Sequence, residues 1–324
     1  MNQLQKVLHE LKGIVARHRP GETLSLPASL STVDINGQRI AYVAGGAESD
    51  PAIPPVVLLH GFGGFFMDWP RVMAPLARHT RVYALDLPGW GFSEANGQTK
   101  TLEEEVGLVQ EFLSRLGLNR VILCGLSYGG GLAWAMAAMN VPRVSRVILL
   151  NPMPPHPLRY MHSPIYRGIF FLNRSELAGR IGLNLLTKSQ YKIICRENLL
   201  NDRLLDTFYL DLAFLVMKQP KMNAQLRAHV IGAKATDWAS WEHRLAGIRA
   251  PVSILQGCQD RIFSVESARY LHRMIPTSEL IEIADCGHAM VFDQHRKVAD
   301  FIIRHLHHRE SHGANQKDLW RPHS

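Results

Sequence analysis

Short, continuous apolar runs alternate with helical segments in two separate parts of the chain. The first part, residues 31–151, opens on an alternating stretch around Asn36-Gly37, a two-residue hairpin signal. It continues with four apolar runs, PVVLLHG, RVYALDLPG, RVILCG and VSRVILLN, and residues 251–308 hold two more, PVSILQG and ELIEIADCG. Short apolar runs bounded by turn residues are typical of strands buried on both faces. The alternation predicts an α/β fold with a mostly parallel, doubly wound sheet.

Residues 152–250 interrupt this alternation. The segment holds no strand-like run and has helical character, which predicts a helical insertion into the sheet domain. It carries 14 lysines and arginines against 7 aspartates and glutamates, whereas the whole chain has a formal net charge of +8. Most of the excess positive charge therefore lies in the insertion, where it would attract anionic lipid headgroups or anionic acids.

The two ends of the chain differ from this body. Residues 1–30 are expected to form an N-terminal amphipathic helical extension, because apolar residues from Leu4 to Val15 recur on one helical face. Such a helix would pack on the body or on a partner protomer, or would lie on a membrane surface. Residues 309–324 are polar and are expected to form a disordered tail. The oligomeric state stays open.

Composition narrows the class of protein. A chain of 324 residues that is 46% hydrophobic can bury a full core. No apolar segment reaches the length of a membrane span, and the first 20 residues lack the apolar stretch of a secretory signal. We therefore expect a cytoplasmic protein with, at most, peripheral contact to an anionic membrane surface. No nucleic-acid motif accompanies the positive charge, and the four cysteines lack metal-type spacing, although Cys258 and Cys286 could pair.

A lone serine stands among glycines where the RVILCG run meets a helical segment. The stretch GLSYGGG, residues 125–131, contains the pattern G-x-S-x-G, with Gly125 and Gly129 two residues on either side of Ser127. Small residues at these places permit a sharp strand-to-helix turn that lifts the serine above the sheet. Taken alone, the stretch would also fit a plain glycine-rich turn. Because a helix start offers free N–H groups to negative charge, Ser127 is a candidate nucleophile for acyl transfer.

The loop HGFGG, directly after VVLL, is the candidate for the rest of an oxyanion hole. The backbone N–H of Phe62 is the predicted donor beside that of Tyr128, with Gly63 as the alternative. The loop lacks the third glycine of a dinucleotide-binding motif and the lysine of a phosphate-binding loop. His60 is expected to brace this loop, and Asp86 is expected to hold the loop DLPGWGFS around it.

The candidate acid and base follow the last two predicted strands. Asp260 lies in ILQGCQDRIF and His288 in IADCGHAMVF. Ligands of such sheets bind at the carboxyl ends of the strands, which meet at one edge. Asp285 is an alternative acid, although it lies very close to His288 in the sequence. Ser127, Asp260 and His288 therefore form a predicted catalytic triad in the order Ser…Asp…His.

Together these motifs resemble the α/β-hydrolase fold superfamily, and within it the serine esterases and lipase-like members with a helical cap. The resemblance covers about residues 31–151 and 251–308, through HGFGG, DLPGWGFS, GLSYGG, GCQDRIF and CGH. It implies that residues 152–250 form a cap over the site, and that neither a metal nor an organic cofactor is needed. Ser264 stands where relatives often carry proline, and no acidic-x-proline follows His288; neither departure touches the triad.

Apolar residues beside these motifs predict a hydrophobic substrate pocket. The expected lining residues are Phe65, Phe66, Trp69, Met153 and Met290. The favoured function is hydrolysis of a small carboxylic ester through an acyl-enzyme intermediate. The ester would be a lipid or would carry a hydrophobic acyl or aromatic group. A carbon–carbon bond hydrolase, a thioesterase or an acyltransferase would use the same triad, and a non-catalytic binding protein is a further alternative. Family members that resemble epoxide hydrolases or haloalkane dehalogenases carry aspartate at this position. Ser127 therefore argues against both of those activities.

Overall fold

A computed structural model describes residues 29–46, 52–96 and 98–306. Its eight strands form one sheet in the order β1-β2-β4-β3-β5-β6-β7-β8. The first two pairings, β1 with β2 and β2 with β4, are antiparallel, and all the others are parallel. The strands are Ser29–Ile35 (β1), Gln38–Gly45 (β2), Val56–Leu59 (β3), Val82–Leu85 (β4), Val121–Leu126 (β5), Val144–Leu150 (β6), Val252–Gly257 (β7) and Ser278–Ile283 (β8).

The described residues also form thirteen α-helices and two short 3₁₀ turns. Seven of the helices, α4 to α10, lie between β6 and β7, within the segment 152–250. The helices are Pro70–Leu76 (α1), Leu102–Arg115 (α2), Tyr128–Ala138 (α3), Pro157–Tyr160 (α4), Pro164–Leu172 (α5), Glu176–Leu185 (α6), Lys188–Glu197 (α7), Thr207–Met217 (α8), Met222–Ala235 (α9), Trp238–Leu245 (α10), Val265–Met274 (α11), Met290–Asp293 (α12) and His295–Leu306 (α13).

The sheet separates two hydrophobic cores, because successive side chains of a strand point to opposite faces. In β3, Val57 and Leu59 belong to the core that contains Trp134 of α3. Val56 and Leu58 belong to the other core, which contains Phe301 of α13. The predicted mostly parallel, doubly wound α/β sheet is thus confirmed.

Local signals in the sequence explain where several elements begin and end. The hairpin turn is Asn36-Gly37, with both residues at positive φ. Helix α2 starts with a capping box of Thr101 and Glu104, in which each side chain accepts from the other residue's backbone N–H. The last predicted strand, 279–287, is shorter in the structure: β8 ends at Ile283, so Cys286 and His288 lie in the loop beyond it.

Some predicted features lie outside the described residues, namely most of the N-terminal helix of residues 1–30 and the tail of residues 309–324. Within the part that is described, no helix combines the length and apolarity that crossing a bilayer requires.

Candidate active site

Ser127 occupies a strained turn at the end of β5. Its backbone has φ 52° and ψ −113°, a conformation that costs a non-glycine residue about 1–3 kcal/mol. The turn is held by hydrogen bonds: the Ser127 N–H donates to the Leu150 carbonyl at 2.9 Å, and its own carbonyl accepts from the Met153 N–H at 2.9 Å. The strand β6 and the residues that follow it therefore fix the serine at the carboxyl edge of the sheet.

The two glycines of the G-x-S-x-G pattern lie where no side chain fits. A Cβ on Gly125 would lie within 3.0 Å of the Gly129 carbonyl, and a Cβ on Gly129 would lie equally close to the carbonyl of Leu59. Both obstacles are backbone atoms that cannot rotate away. The glycines thus allow backbone segments to approach each other closely at the turn that presents Ser127.

The predicted acid and base lie in contact beyond β7 and β8. His288 Nδ1 lies 2.8 Å from Asp260 Oδ2, and the side chain of Asp260 is fully buried. The other carboxylate oxygen of Asp260 accepts from the N–H groups of Ile262 at 2.7 Å and Phe263 at 3.1 Å. These two hydrogen bonds orient the carboxylate towards the imidazole. The alternative acid, Asp285, has an exposed side chain and makes no hydrogen bond to His288 among the described residues.

Asn151, which the sequence analysis missed, joins the two loops that carry the acid and the base. It follows β6 directly, is fully buried, and has a φ of 44°. Its amide donates to the carbonyls of Gly287 at 2.9 Å and His288 at 2.7 Å. Its amide oxygen accepts from the Gly257 N–H at 2.6 Å, at the end of β7. The only signal for this role in the sequence was an asparagine directly after an apolar, strand-like run.

A second missed residue, Gln256, lies behind the acid. Its side-chain amide donates to Asp260 Oδ2 and to the Phe263 carbonyl, each at 3.2 Å. Gln256 is itself fully buried in β7, where an apolar side chain would be expected. The carboxylate of Asp260 is therefore held at both oxygens, at Oδ2 by the Gln256 amide and at Oδ1 by backbone N–H groups.

The HGFGG loop lies against the serine. A Cβ on Gly61 would be 3.3 Å from the Ser127 Cβ and 3.9 Å from its Oγ. The backbone N–H groups of Phe62 and Tyr128, the predicted oxyanion donors, have no protein acceptor among the described residues. Both N–H groups are therefore free to donate to an oxygen that forms beside Ser127.

Two buried side chains support this loop as predicted. His60 Nδ1 lies 2.8 Å from the Gly61 carbonyl, and its Nε2 accepts from the Leu87 N–H at 2.9 Å. Burial lowers the pKa of His60 to about 4, so the ring is neutral and can accept that bond. Asp86 accepts from the N–H groups of Phe66 at 2.6 Å and Phe92 at 2.7 Å. The bracing role of His60 and the loop-holding role of Asp86 are thus confirmed.

A cavity of about 620 Å³ lies over these groups, between the carboxyl edge of the sheet and the inserted helices. Ser127, Tyr128, Phe62 and His288 all line it. Most of its remaining wall consists of leucine, isoleucine and aromatic side chains of α5 to α9, and no lysine or arginine of the described residues lines it. The cavity is therefore suited to an uncharged, apolar ligand.

The predicted pocket residues divide. Met153 lines the cavity, as expected. Phe65, Phe66, Trp69 and Met290 do not line it and are almost completely buried in the two cores, so these four predictions were wrong. These four side chains follow the motifs in the sequence, but they lie in the hydrophobic cores on the two faces of the sheet. The apolar wall is supplied instead by the inserted helices, for which no motif exists in the sequence.

Polar groups inside the cavity are few and mostly paired. Asp68 accepts from the hydroxyl of Tyr209 at 2.7 Å, and burial raises the pKa of this carboxyl to about 7. The Tyr166 hydroxyl and the Asn198 side chain lie 3.0 Å apart. His229 is surrounded by aromatic rings, including Tyr128 at a centroid distance of 4.3 Å, and burial lowers its pKa to about 3. His229 is therefore neutral at physiological pH.

The inserted helices are attached to the loop of the candidate base. The Asn198 carbonyl, at the end of α7, accepts from the Ala289 N–H at 2.7 Å. The carboxylate of Asp293 accepts from the Leu200 N–H at 3.1 Å and from the Gly287 N–H at 2.8 Å. A movement of α7 would therefore reach the residues on either side of His288. The thiols of Cys258 and Cys286 in this region are free.

Comparisons with known proteins agree with the fold. A sequence model described as alpha/beta hydrolase fold matches residues 54–294. The 2-hydroxy-6-oxo-2,4-heptadienoate hydrolase of Pseudomonas putida is 29% identical over 270 residues, which cover 78% of this chain and 91% of the relative. The monoacylglycerol lipase abhd6-B of Xenopus laevis is 23% identical over 297 residues, which cover 86% of this chain and 82% of the relative.

A solved structure of similar fold is that of a membrane phospholipase A, described as a bacterial virulence factor. It superimposes with a TM-score of 0.72 at 22% sequence identity, and the match covers 93% of this chain and 95% of the other. The family model spans well over half of the chain, and the two relatives named above are hydrolases. The chain is thus a hydrolase that belongs to the α/β hydrolase fold family.

Proposed function

We propose that the protein hydrolyses a carboxylic ester with a hydrophobic acyl group, and that Ser127, Asp260 and His288 are its catalytic triad. In this mechanism His288 takes the proton of Ser127 as the serine attacks the ester carbonyl. Asp260 holds the imidazole by its Nδ1 and stabilises the positive charge that develops on it, consistent with the 2.8 Å contact. The alcohol leaves with the proton from His288, and an acyl-enzyme remains.

The second half of the reaction uses the same groups. His288 activates a water molecule, which attacks the acyl-enzyme and releases the acid. In both halves the N–H groups of Phe62 and Tyr128 would donate to the oxyanion. Removing one such donor typically lowers kcat by about 10²–10³-fold. Their lack of a protein acceptor within the described residues supports this role.

The observation that carries the choice of an ester is the wall of the cavity. About 620 Å³ of space beside Ser127 is lined mainly by aliphatic and aromatic side chains, and no lysine or arginine of the described ranges lines it. A long acyl chain would be stabilised there by about 0.8 kcal/mol for each buried methylene group. A substrate carboxylate would enter the cavity without a cationic partner, at a considerable cost in desolvation.

Hydrolysis of a carbon–carbon bond is the second candidate, because the heptadienoate hydrolase of Pseudomonas putida aligns with 78% of this chain. The substrate in that relative's name is a carboxylate. The absence of lysine and arginine from the cavity wall in the described part of the chain argues against such a substrate here. A neutral ester is therefore favoured over a dienoate.

A panel of p-nitrophenyl esters of increasing chain length tests the proposal. We expect kcat/KM to rise from acetate to medium-length chains, and Ser127→Ala to lower kcat by at least about 10⁴-fold. The same preparation should turn over 2-hydroxy-6-oxo-2,4-heptadienoate much more slowly. Folded protein that cleaves the dienoate but no ester of the panel would overturn the ester assignment in favour of the second candidate.

A further inference from the structure

Large apolar side chains are exposed on the inserted helices and not on the rest of the described structure. All eight strongly exposed large hydrophobic residues of the described chain lie between residues 158 and 200. Six of them are on three consecutive helices, α5, α6 and α7. These six are Phe171, Leu172, Leu177, Ile181, Leu185 and Ile193. A cluster of this kind on an otherwise polar surface marks an interaction site.

Helix α6 carries the centre of this surface, which we call the α5–α7 face. Leu177, Ile181 and Leu185 are spaced four residues apart and therefore lie in one stripe along the helix. Their exposed fractions are 67%, 48% and 70%. The helix turns an apolar residue to its other side as well, because Leu183 lines the cavity, as does Leu186 directly after the helix. Helix α6 is thus a thin apolar wall between the cavity and solvent.

The α5–α7 face is continuous with the inside of the cavity. Leu172, Leu185 and Ile193 are exposed to solvent and also line the cavity that holds Ser127. An apolar chain that rests on this face can therefore enter the cavity past side chains of the same chemistry. A ligand of the face and a substrate of the site would share one apolar path.

Basic residues outnumber acidic ones on the helices that carry the apolar stripe. Residues 164–197 contain six lysines and arginines and only two glutamates. Lys188 pairs with Asp211, and Arg196 pairs with Asp202. Arg180 and Lys192 have no carboxylate partner among the described residues. An apolar centre with a basic margin complements the surface of an anionic bilayer, in which acyl chains lie beneath negative headgroups.

We propose that the α5–α7 face docks on an anionic lipid bilayer and receives the ester substrate directly from it. The bilayer fits better than the other possible occupants on grounds of charge. Residues 1–28, outside the described ranges, carry four lysines and arginines against two glutamates, and a second copy of the chain would bring the same basic margin. Either would place like charges together. This proposal rests on the ester hydrolysis proposed above, because it states where the ester substrate comes from.

Flotation of the full-length protein with vesicles tests the docking surface. Wild-type protein should bind phosphatidylcholine vesicles containing phosphatidylglycerol at least about tenfold more tightly than neutral ones, and added salt should weaken that binding. Leu177→Glu combined with Ile181→Glu should lower binding at least about tenfold, because two anchors are lost and negative charge is added. Neither residue lines the cavity, so kcat/KM for the water-soluble p-nitrophenyl butyrate should stay within about twofold of wild type.

The matched control is Leu158→Glu, which changes a leucine with 41% exposure on α4. Helix α4 lies beside the sheet domain, where Tyr160 stacks on Tyr270 of α11 at a centroid distance of 5.5 Å. This variant should bind vesicles like wild type. If wild-type protein does not hydrolyse p-nitrophenyl butyrate, the ester function is contradicted. The docking surface is judged separately, from vesicle binding.

Three results would overturn the docking surface. The first is equal binding of wild type and the double variant. The second is a loss of binding only when the apolar residues of the N-terminal segment are changed, as in Leu8→Glu with Leu11→Glu. The third is a wild-type dimer that shows no vesicle binding and that the double variant converts to a monomer, which would assign the face to a second copy of the chain.

Discussion

The amide of Asn151 donates a hydrogen bond of 2.7 Å to the backbone carbonyl of His288. The bond crosses from the end of β6 to the loop beyond β8. Because the same side chain also accepts from Gly257, before the loop of Asp260, one buried residue sets the relative position of the acid and the base. We regard Asn151 as a positioning residue, since it is not among the residues that line the cavity of Ser127.

Asn151→Asp should therefore lower kcat by about 10–100-fold while KM changes little. Aspartate keeps the acceptor for the Gly257 N–H and tolerates the positive φ, but it cannot donate to the carbonyls of Gly287 and His288. A folded variant with wild-type kcat would contradict the positioning role.

The close approach at the nucleophile turn gives a second prediction. Gly129→Ala should abolish activity or prevent folding, because its Cβ would collide with the Leu59 carbonyl. Gly107→Ala is the matched control: Gly107 lies in α2, and a Cβ there meets no atom within 4 Å. That control should raise the free energy of unfolding by up to about 1 kcal/mol and leave activity unchanged. Thermal unfolding and ester turnover of both variants measure the difference.

The buried, neutral His229 should make stability depend on pH. Its pKa is lowered to about 3 in the folded protein, from 6.5 in an unfolded chain. A lowered histidine pKa contributes stability that is fully present above pH 6.5 and is lost as the pH falls towards 3. Relative to His229→Phe, wild type should therefore lose roughly 2–3 kcal/mol between pH 7 and pH 4.5. Denaturant unfolding at both pH values measures this, and parallel pH curves for the two proteins would refute it.

Filling the cavity should change substrate preference. Gly182 lines the cavity, and a Cβ there would lie 3.8 Å from Leu172, so a larger side chain can be placed without displacing the backbone. Gly182→Trp should lower kcat/KM for p-nitrophenyl octanoate and longer esters by about tenfold or more, and leave butyrate within about twofold. Gly168→Trp on α5, which does not line the cavity, is the control. Equal losses for short and long esters in the Gly182 variant would contradict an acyl chain at this wall.

The sequence predicted the sheet and the candidate triad because both depend on order along the chain. Parallel strands bring their carboxyl ends to one edge, so residues directly after β5, β7 and β8 had to lie near one another. The contact between Asp260 and His288 is an instance of this rule. His60 and Asp86 were likewise predictable from their places next to buried strands.

The wall of the cavity could not be predicted in the same way. Phe66 and Trp69 follow the HGFGG loop, but the 3₁₀ turn Phe66–Asp68 directs them into the core, where both are almost completely buried. The real wall comes from α5 to α9, whose packing depends on tertiary contacts and leaves no local motif. Asn151 was missed for a related reason: its three hydrogen bonds join segments more than 100 residues apart.

The most direct test of the account is covalent labelling of the folded protein with a fluorophosphonate, followed by peptide mapping. We predict a single adduct on Ser127, no adduct in Ser127→Ala, and labelling slowed by orders of magnitude in His288→Gln, because the imidazole activates the serine. Absence of labelling in folded wild type, or an adduct on another residue that persists in Ser127→Ala, would contradict the assignment of Ser127 as the nucleophile.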